Sequence, residues 1–318
     1  MIGGTARPTG GALGAALIVV AAVCFGTLGP ISRYGDEAGV SSLALVAWRA
    51  GVGATATLLL LSGLAVVAGR RPQSPRDIPV RQRWFILAGA GANLVLNLAM
   101  FIAFVRIEIS LALLVFYLFP AIVAVASVLW FDDRLDTVRW TALAVSMLGL
   151  ALTLAGAGEV GTLDPLGIGL AIVAAFAQAF YVLAARHGFP AIPPIEAAAT
   201  TMGLATIGYV AIAVVIGQVA ALGVPLESSD ALLAVMAAGL VGAAVPTLCF
   251  ITGIRLLGAP RAAILATLEP VVGVALAAWL LDEQPSPLQL IGGGLILAAA
   301  LLLQVRGGGA AEHEAVAA

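Results

Sequence analysis

Ten apolar runs divide the chain, and they constrain its fold more than any other feature. A helix needs about 20 apolar residues to cross the hydrocarbon core of a bilayer. Only 10% of the 318 residues are charged, whereas soluble proteins carry about a quarter charged residues. The sequence therefore predicts an all-α integral membrane protein with ten transmembrane helices. The predicted helices are 11–31, 41–68, 84–105, 110–130, 137–155, 164–185, 195–217, 230–254, 260–281 and 287–305.

The arginine residues predict how these helices are oriented. Cytoplasmic loops of membrane proteins carry an excess of positive charge. With the N-terminus in the cytoplasm, the outside loops contain only Arg33 and Arg106, and Arg49 lies within helix 2. We therefore expect a multi-pass protein of the bacterial plasma membrane with both termini in the cytoplasm and a disordered tail at 306–318. The twelve inside arginines are Arg7, Arg70, Arg71, Arg76, Arg81, Arg83, Arg134, Arg139, Arg186, Arg255, Arg261 and Arg306.

The two halves of the chain carry similar patterns 150 residues apart. Pro120 corresponds to Pro270, and Asp132–Asp133 corresponds to Asp282–Glu283. Because five is an odd number, a duplicated five-helix unit must insert its second copy upside down. Such inverted repeats are typical of secondary transporters, whose substrate sites lie near the midplane where the repeats meet. The predicted repeats are 11–155 and 164–305.

Polar residues recur at equivalent positions of the two predicted halves, in helices that are otherwise apolar. An offset of 150 residues, or 151 for helices 1 and 6, places six of them in pairs. Polar groups in membrane spans either line a substrate pathway or join helices by hydrogen bonds, and both roles stay open. The pairs are Thr27 with Gln178, Asn97 with Thr247, and Tyr117 with Thr267. The candidate substrate-binding residues are these six together with Asn93, Tyr181 and Glu269.

Glu269 lies beside Pro270 in an apolar run, about 14 Å from the inner end of helix 9 at about 1.5 Å per residue. A carboxylate near the midplane is costly. Three roles are open for it: coupling to protons, binding the ammonium group of an amino-acid substrate, or a structural ion pair with Arg49. Arg49 itself either anchors helix 2 or binds a substrate carboxylate. Pro120, Pro246 and Pro270 each remove a backbone hydrogen bond, which predicts kinks or hinges.

Other functional classes find little support in the residue pattern. The chain lacks the G-x-x-x-x-G-K-[ST] segment of P-loop ATPases and any basic block typical of nucleic-acid binding. Its two histidines have no neighbours at metal-ligand spacing, so neither a metal nor another cofactor is expected. An intramembrane lipid-modifying enzyme would need clustered polar groups at depth, and a passive channel would not need inverted halves. The pattern therefore favours a transporter of a small molecule.

Four stretches carry a pattern that is shared with a known family. They are Trp48–Arg49 in helix 2, Phe119–Pro120 and Asp132–Asp133 around helix 4, and LEP…LLDEQPSPLQLIGGGLIL at 268–297, where Glu283, Gln289 and Gly292 or Gly293 fit. In these stretches the chain resembles the EamA-type transporters of the drug/metabolite transporter superfamily. The resemblance implies a ten-helix basket whose central cavity is lined mainly by helices 1, 3, 4, 6, 8 and 9, with helices 2, 5, 7 and 10 more peripheral. It also implies export of small metabolites, often amino acids.

Overall fold

The chain forms a bundle of apolar helices, seen in a computed structural model that describes residues 10–69, 78–107, 109–133, 135–156, 164–280 and 284–316. These residues are nearly all helical, and no β-strand occurs among them. Within the described ranges, nine helices are long and apolar enough to cross a membrane, and a shorter apolar helix follows. The predicted all-α fold with ten membrane-spanning helices is therefore confirmed.

We number the ten helices in chain order. They are α1 (Gly11–Glu37), α2 (Ser42–Val67), α3 (Val80–Met100), α4 (Leu111–Phe131), α5 (Thr137–Ala155), α6 (Pro165–Gly188), α7 (Pro194–Val215), α8 (Ser229–Leu257), α9 (Ala259–Leu276) and α10 (Pro287–Leu303). The helical backbone continues to Arg106 after α3, to Leu280 after α9 and to Val316 after α10.

The residues after Arg306 are predicted to form a disordered tail. In the described part of that segment the backbone is helical to Val316. Alanine and glutamate, which favour helix, make up most of 310–316. Several residues used in the sequence analysis lie outside the described ranges. They are Arg7, Arg70, Arg71, Arg76, Arg134, Asp282 and Glu283.

Three of the helices are broken in their middle. α1 is interrupted at Thr27, α4 at Tyr117–Leu118 and α9 at Thr267, and at each break a backbone N–H bonds to the carbonyl three residues earlier. Pro120 and Pro270 lie in the first turn of the half-helix that follows. A first turn has N–H groups without helical partners, so a proline there costs little. The kinks predicted at these two prolines are therefore breaks between half-helices.

Two further helices contain a wider, π-type turn. It spans Ala184–Gly188 at the end of α6 and Leu240–Ala244 in the middle of α8. Pro246 follows the second of these turns and has no N–H to bond the carbonyl of Gly242, which favours an irregular backbone at this point. The kink predicted at Pro246 is therefore a local widening of α8.

Each helix packs mainly against helices of the other half. α5 packs on α10, α3 on α6, α1 on α8, and α2 on α7. Replacing every helix by its counterpart five places along converts the α1–α8 contact into the α6–α3 contact and leaves α2–α7 and α5–α10 unchanged. The packing therefore follows the pseudo-twofold symmetry of an inverted repeat, and the two halves interlock.

The α5–α10 contact depends on two glycines. A Cβ atom on Gly149 would lie 2.6 Å from the carbonyl oxygen of Gly292, and a Cβ atom on Gly292 would meet the backbone of Gly149 and Thr153. The two backbones thus approach more closely than a larger side chain allows, as is common between membrane helices.

We expect Gly292→Val to lower the free energy of unfolding by about 1–3 kcal/mol, because the added carbons force the backbones of α5 and α10 apart. Gly294→Val is the matched control on the same helix, since a Cβ atom there meets nothing within 4 Å. Thermal unfolding of the two purified proteins in one detergent measures the difference. Equal melting temperatures would contradict the close approach.

Candidate functional site

A cavity of about 180 Å³ lies between the two halves. Its lining comes from the first four helices of each half; among the described residues, α5 and α10 contribute none. Apolar side chains such as Phe116 and Phe250 make up much of the wall. The polar and charged residues of the lining are Arg49, Asn93, Asn97, Gln178, Tyr181, Thr201, Tyr209, Thr247 and Glu269.

Helices α2 and α7 line this cavity, although the family resemblance implies that they are peripheral. α2 contributes Val46 and Arg49, and α7 contributes Tyr209. α2 reaches inward because it has small residues where it meets its neighbours: a Cβ atom on Gly53 would lie 2.9 Å from that of Ala243 on α8. The implied peripheral position of α2 and α7 is therefore wrong for this chain.

On α3 and α8, residues 150 positions apart face the cavity together. Asn97 and Thr247, a predicted pair, are both in the lining. Met100 and Phe250, which have the same offset, are in it as well. The repeat register therefore selects equivalent faces of these two helices.

Arg49 is joined to Asn97 of α3, which is joined in turn to Asn93. Its Nη2 donates to Asn97 Oδ1 at 3.3 Å, and Asn97 Nδ2 donates in turn to the backbone carbonyl of Asn93 at 2.7 Å. Tyr209 of α7 lies near both Arg49 and Asn97. A guanidinium has five N–H donors, so these contacts hold Arg49 in place and leave it able to bind an anion in the cavity.

Glu269 lies in the first turn of the second half of α9, directly after the break at Thr267. The positive end of the helix dipole there favours a carboxylate and offsets part of the cost of burying it. The hydroxyl of Tyr117, at the break in α4, is the hydrogen-bonding neighbour of Glu269. The positive charge of Arg49 interacts electrostatically with the same carboxylate. Two broken helices, one from each half, therefore position this carboxylate.

Arg49 and Glu269 line the same cavity, but no salt bridge of 4.0 Å or less joins their side chains. The two side chains act on each other electrostatically across the cavity, and the roles predicted for them stay predictions. The cavity presents one cationic and one anionic group beside an apolar wall.

On α1 and α6, one member of the predicted pair, Gln178, faces the cavity and the other, Thr27, does not. Gln178 and Tyr181 line it, and the residues of α1 that do so are Phe25 and Leu28, each 153 positions earlier. Thr27 lies at the break, and its hydroxyl donates to the carbonyl three residues earlier at 2.7 Å. A shift of two residues turns a helix face by about 200°, so the 151-residue offset selects the wrong face of α1.

Tyr117 and Thr267, the third predicted pair, are buried behind the lining. Thr267 is 1% exposed, and its hydroxyl donates to the carbonyl three residues earlier at 2.6 Å. The Tyr117 ring packs against Phe116 and Phe119, with centroid distances of 5.1 and 5.9 Å. Both residues shape the helix breaks, and Tyr117 reaches the site through Glu269.

Two polar residues of α7 that line the cavity are not among the predicted site residues. Tyr209 and Thr201 are almost fully buried, and both line the cavity. Tyr209 is the one tyrosine in an apolar α7, which is a signal that sequence reasoning could have used. It is overlooked because α7 is assigned a peripheral place.

The two ends of the bundle differ. At the predicted outer end, a vestibule of about 720 Å³ meets the cavity at Val46 and Tyr209, which line both spaces. At the predicted cytoplasmic end, the turn between α6 and α7 carries Phe189, which is fully buried. The described residues therefore place an open space beside the cavity at the predicted outer end and a packed turn at the other end. The other vestibule residues are Ser42, Leu43, Leu98, Ile102, Arg106 and Gln218.

Comparisons with known proteins agree with this architecture. The sequence model of the EamA-like transporter family matches 12–155 and again 165–305, so it matches each half separately. An uncharacterized transporter of Archaeoglobus fulgidus is 27% identical over 290 residues, which are 91% of this chain and 95% of that protein. An uncharacterized transporter of Synechocystis is 27% identical over 225 residues, 68% of this chain and 65% of that protein. A crystal structure with 19% identity has a TM-score of 0.75, covers 92% of this chain and 96% of its own, and shows the shared fold.

We expect Thr247→Cys to react with a small water-soluble thiol reagent several-fold faster than Thr267→Cys. Thr247 lines the cavity that meets the vestibule, whereas Thr267 is buried outside it. Both variants are made with Cys24 and Cys249 replaced by alanine, and mass spectrometry follows the reaction in detergent. Comparable rates at the two positions would contradict the described lining.

Proposed function

The chain belongs to the EamA-like transporter family, and from this we propose that it is a secondary active transporter that exports amino acids or closely related metabolites by alternating access. The relatives described above are named transporters and are uncharacterized, so neither supplies a substrate. The arginine distribution supports a plasma-membrane location with both termini in the cytoplasm.

One observation carries the choice of substrate: Arg49 and Glu269 line one cavity without a salt bridge between them. Ionised side chains inside a membrane protein are costly unless they are paired. A zwitterion bears both opposite charges on one small molecule, so it pairs with both side chains at once. An α-amino acid is the simplest metabolite of this kind.

The placement of the charges suggests how the substrate is held. Its carboxylate binds the Arg49 guanidinium, which Asn97 positions. Its ammonium group binds Glu269, and the side chain extends along the apolar wall that includes Phe116 and Phe250. A cavity of about 180 Å³ suits a small metabolite better than a lipid, because pockets for drug-sized ligands measure about 300–1,000 Å³.

Proton coupling follows from the same carboxylate. When the ammonium group leaves Glu269 at the outer side, a proton can take its place and keep the buried group neutral. The proton is then released when the next substrate binds from the cytoplasm. Proton entry and substrate export are thereby linked, because each occupies Glu269 in turn.

We expect Arg49→Gln and Glu269→Gln each to weaken binding of the amino acid about 10- to 150-fold, since a hydrogen bond to a charged group contributes about 1.5–3 kcal/mol. The tightest-binding standard amino acid is compared with its amide, which lacks the carboxylate, and with its des-amino acid, which lacks the ammonium group. Arg49→Gln should lose the preference over the amide, and Glu269→Gln the preference over the des-amino acid. Calorimetry on purified protein gives the Kd values.

Arg139→Gln and Glu227→Gln are the matched controls, because both residues lie outside the cavity lining. They should leave all Kd values unchanged. If Arg49→Gln and Glu269→Gln weaken the binding of all three ligands equally, the two side chains do not bind the carboxylate and the ammonium group of a zwitterion.

We expect Glu269→Gln to remove the dependence of transport on a pH gradient, because glutamine carries no titratable proton. Efflux of the radiolabelled amino acid from proteoliposomes is measured with and without the gradient. Glu227→Gln, treated in the same way, should keep the dependence. A Glu269→Gln protein that still responds to the gradient would assign proton coupling to another group.

A further inference from the structure

Two arginines join helix ends at the predicted cytoplasmic end. The guanidinium of Arg255, near the end of α8, donates to the backbone carbonyls of Ala185 at 3.3 Å, Phe189 at 3.1 Å and Ile192. Arg186 donates in turn to the carbonyl of Arg255. These bonds tie the end of α8 to the turn that joins α6 and α7.

The same turn closes the space below the cavity. The Phe189 ring lies 5.8 Å from the Arg255 guanidinium and is fully buried. A Cβ atom on Gly89 of α3 would lie 3.5 Å from this ring and 3.7 Å from Tyr181, which lines the cavity. Phe189 is therefore packed between α3 and the floor of the cavity, and Arg255 keeps it there.

The counterpart helix at the outer end, α3, also carries an arginine near its end. Arg106 ends the α3 helix, as Arg255 lies near the end of its counterpart α8, one residue away from the 150-residue register. The counterpart of the α6–α7 turn is the α1–α2 turn at 38–41. Arg106 does not hold that turn here: it forms a salt bridge with Asp164 at 2.9 Å, and both Arg106 and Ser42 line the vestibule.

We propose that Arg255 and Arg106 are a mirrored pair of gate residues, meaning residues that hold one end of the transporter closed. Arg255 closes the cytoplasmic end in this conformation. Arg106 closes the outer end in the opposite conformation, by leaving Asp164 and binding the carbonyl groups of the α1–α2 turn. The inference rests on the proposed alternating access and on no particular substrate.

The exchange of partners is physically reasonable for arginine. Its planar guanidinium has five N–H donors, which suits a cluster of carbonyls that converge on one point, and a lysine ammonium could not span them. Asp164 remains satisfied after Arg106 leaves, because it also caps α6 by accepting from the Leu166 N–H at 2.9 Å. Arg106 holds the pKa of Asp164 below its ordinary value, which shows that the present pair is favourable. The pair is also partly exposed to solvent, and exposed pairs exchange partners at little cost in free energy.

Reporter cysteines at the two ends test the proposal. In a chain with Cys24→Ala and Cys249→Ala, Ile86→Cys reports the cytoplasmic end, because Ile86 is buried and lies one turn of α3 before Gly89, whose Cβ position adjoins Phe189. Leu98→Cys reports the vestibule. We expect Arg255→Ala to raise the reaction rate of Ile86→Cys with a charged thiol reagent several-fold and to lower that of Leu98→Cys. Detergent-solubilised protein is used, so that the reagent reaches both ends.

Three variants complete the test. Arg255→Lys should also raise the rate at Ile86→Cys, and it carries the test if the alanine variant fails to fold. Arg106→Ala should leave the Ile86→Cys rate low and the Leu98→Cys rate high, because it weakens only the outer closure. Arg261→Ala is the matched control: Arg261 lies at the same end and donates to the Leu303 carbonyl on α10, away from the turn.

Two results would overturn the proposal. One is a folded Arg255→Lys protein whose Ile86→Cys rate is unchanged. The other is an equal rise in Arg261→Ala, which would indicate general loosening of that end. The cysteine reaction rates are measured without substrate, so they stay as expected even if the substrate is not an amino acid. If instead the gate proposal is wrong, the Kd values of the Arg49 and Glu269 variants stay as expected.

Discussion

The interlocking of the two halves is the constraint on which the rest of the structure depends. α1 packs on α8 and α3 on α6, so each half completes the other. Lipid tails are as apolar as the helices, and close packing of backbones, as between Gly149 and Gly292, replaces the hydrophobic effect as the force between helices. The cavity lies where the first four helices of both halves meet. Arg49 and Glu269 therefore share a site that neither half could form.

The helix breaks explain how an apolar run can hold a carboxylate next to a proline. A new half-helix begins after Thr267, so Pro270 lies where a backbone N–H would have no helical partner, and Glu269 lies at the positive end of the dipole. The Thr267 hydroxyl bonds a carbonyl that the break exposes, as the absence of water in the hydrocarbon core requires. The matching break in α4 places Tyr117 beside Glu269. The two equivalent helix breaks thus position the Glu269 end of the site.

Much of this arrangement is predictable from the sequence, but the faces of the helices are not. The spans follow from apolar length, and the 150-residue register selects Asn97 and Thr247, which both line the cavity. The register of α1 and α6 selects Thr27, although Phe25 and Leu28 face inward. Tyr209 is overlooked because the resemblance places α7 at the periphery. A polar residue in an apolar run indicates that its helix contributes to a site. A shift of one or two residues along the helix decides whether that side chain faces the cavity, a neighbouring helix or its own backbone.

The sequence by itself determined the ten spans, their division into two groups of five and the few charged residues that lie within them. These properties are local, because the cost of a polar group in hydrocarbon is set by its own depth and by the length of the apolar run around it. Only the tertiary structure decided that Arg49 and Glu269 face one cavity without a direct salt bridge, that α2 and α7 line it, and that Arg255 rather than Arg106 bonds to the carbonyls of a turn. Those outcomes depend on helix rotation and backbone breaks, which are set by contacts between residues from opposite halves of the chain.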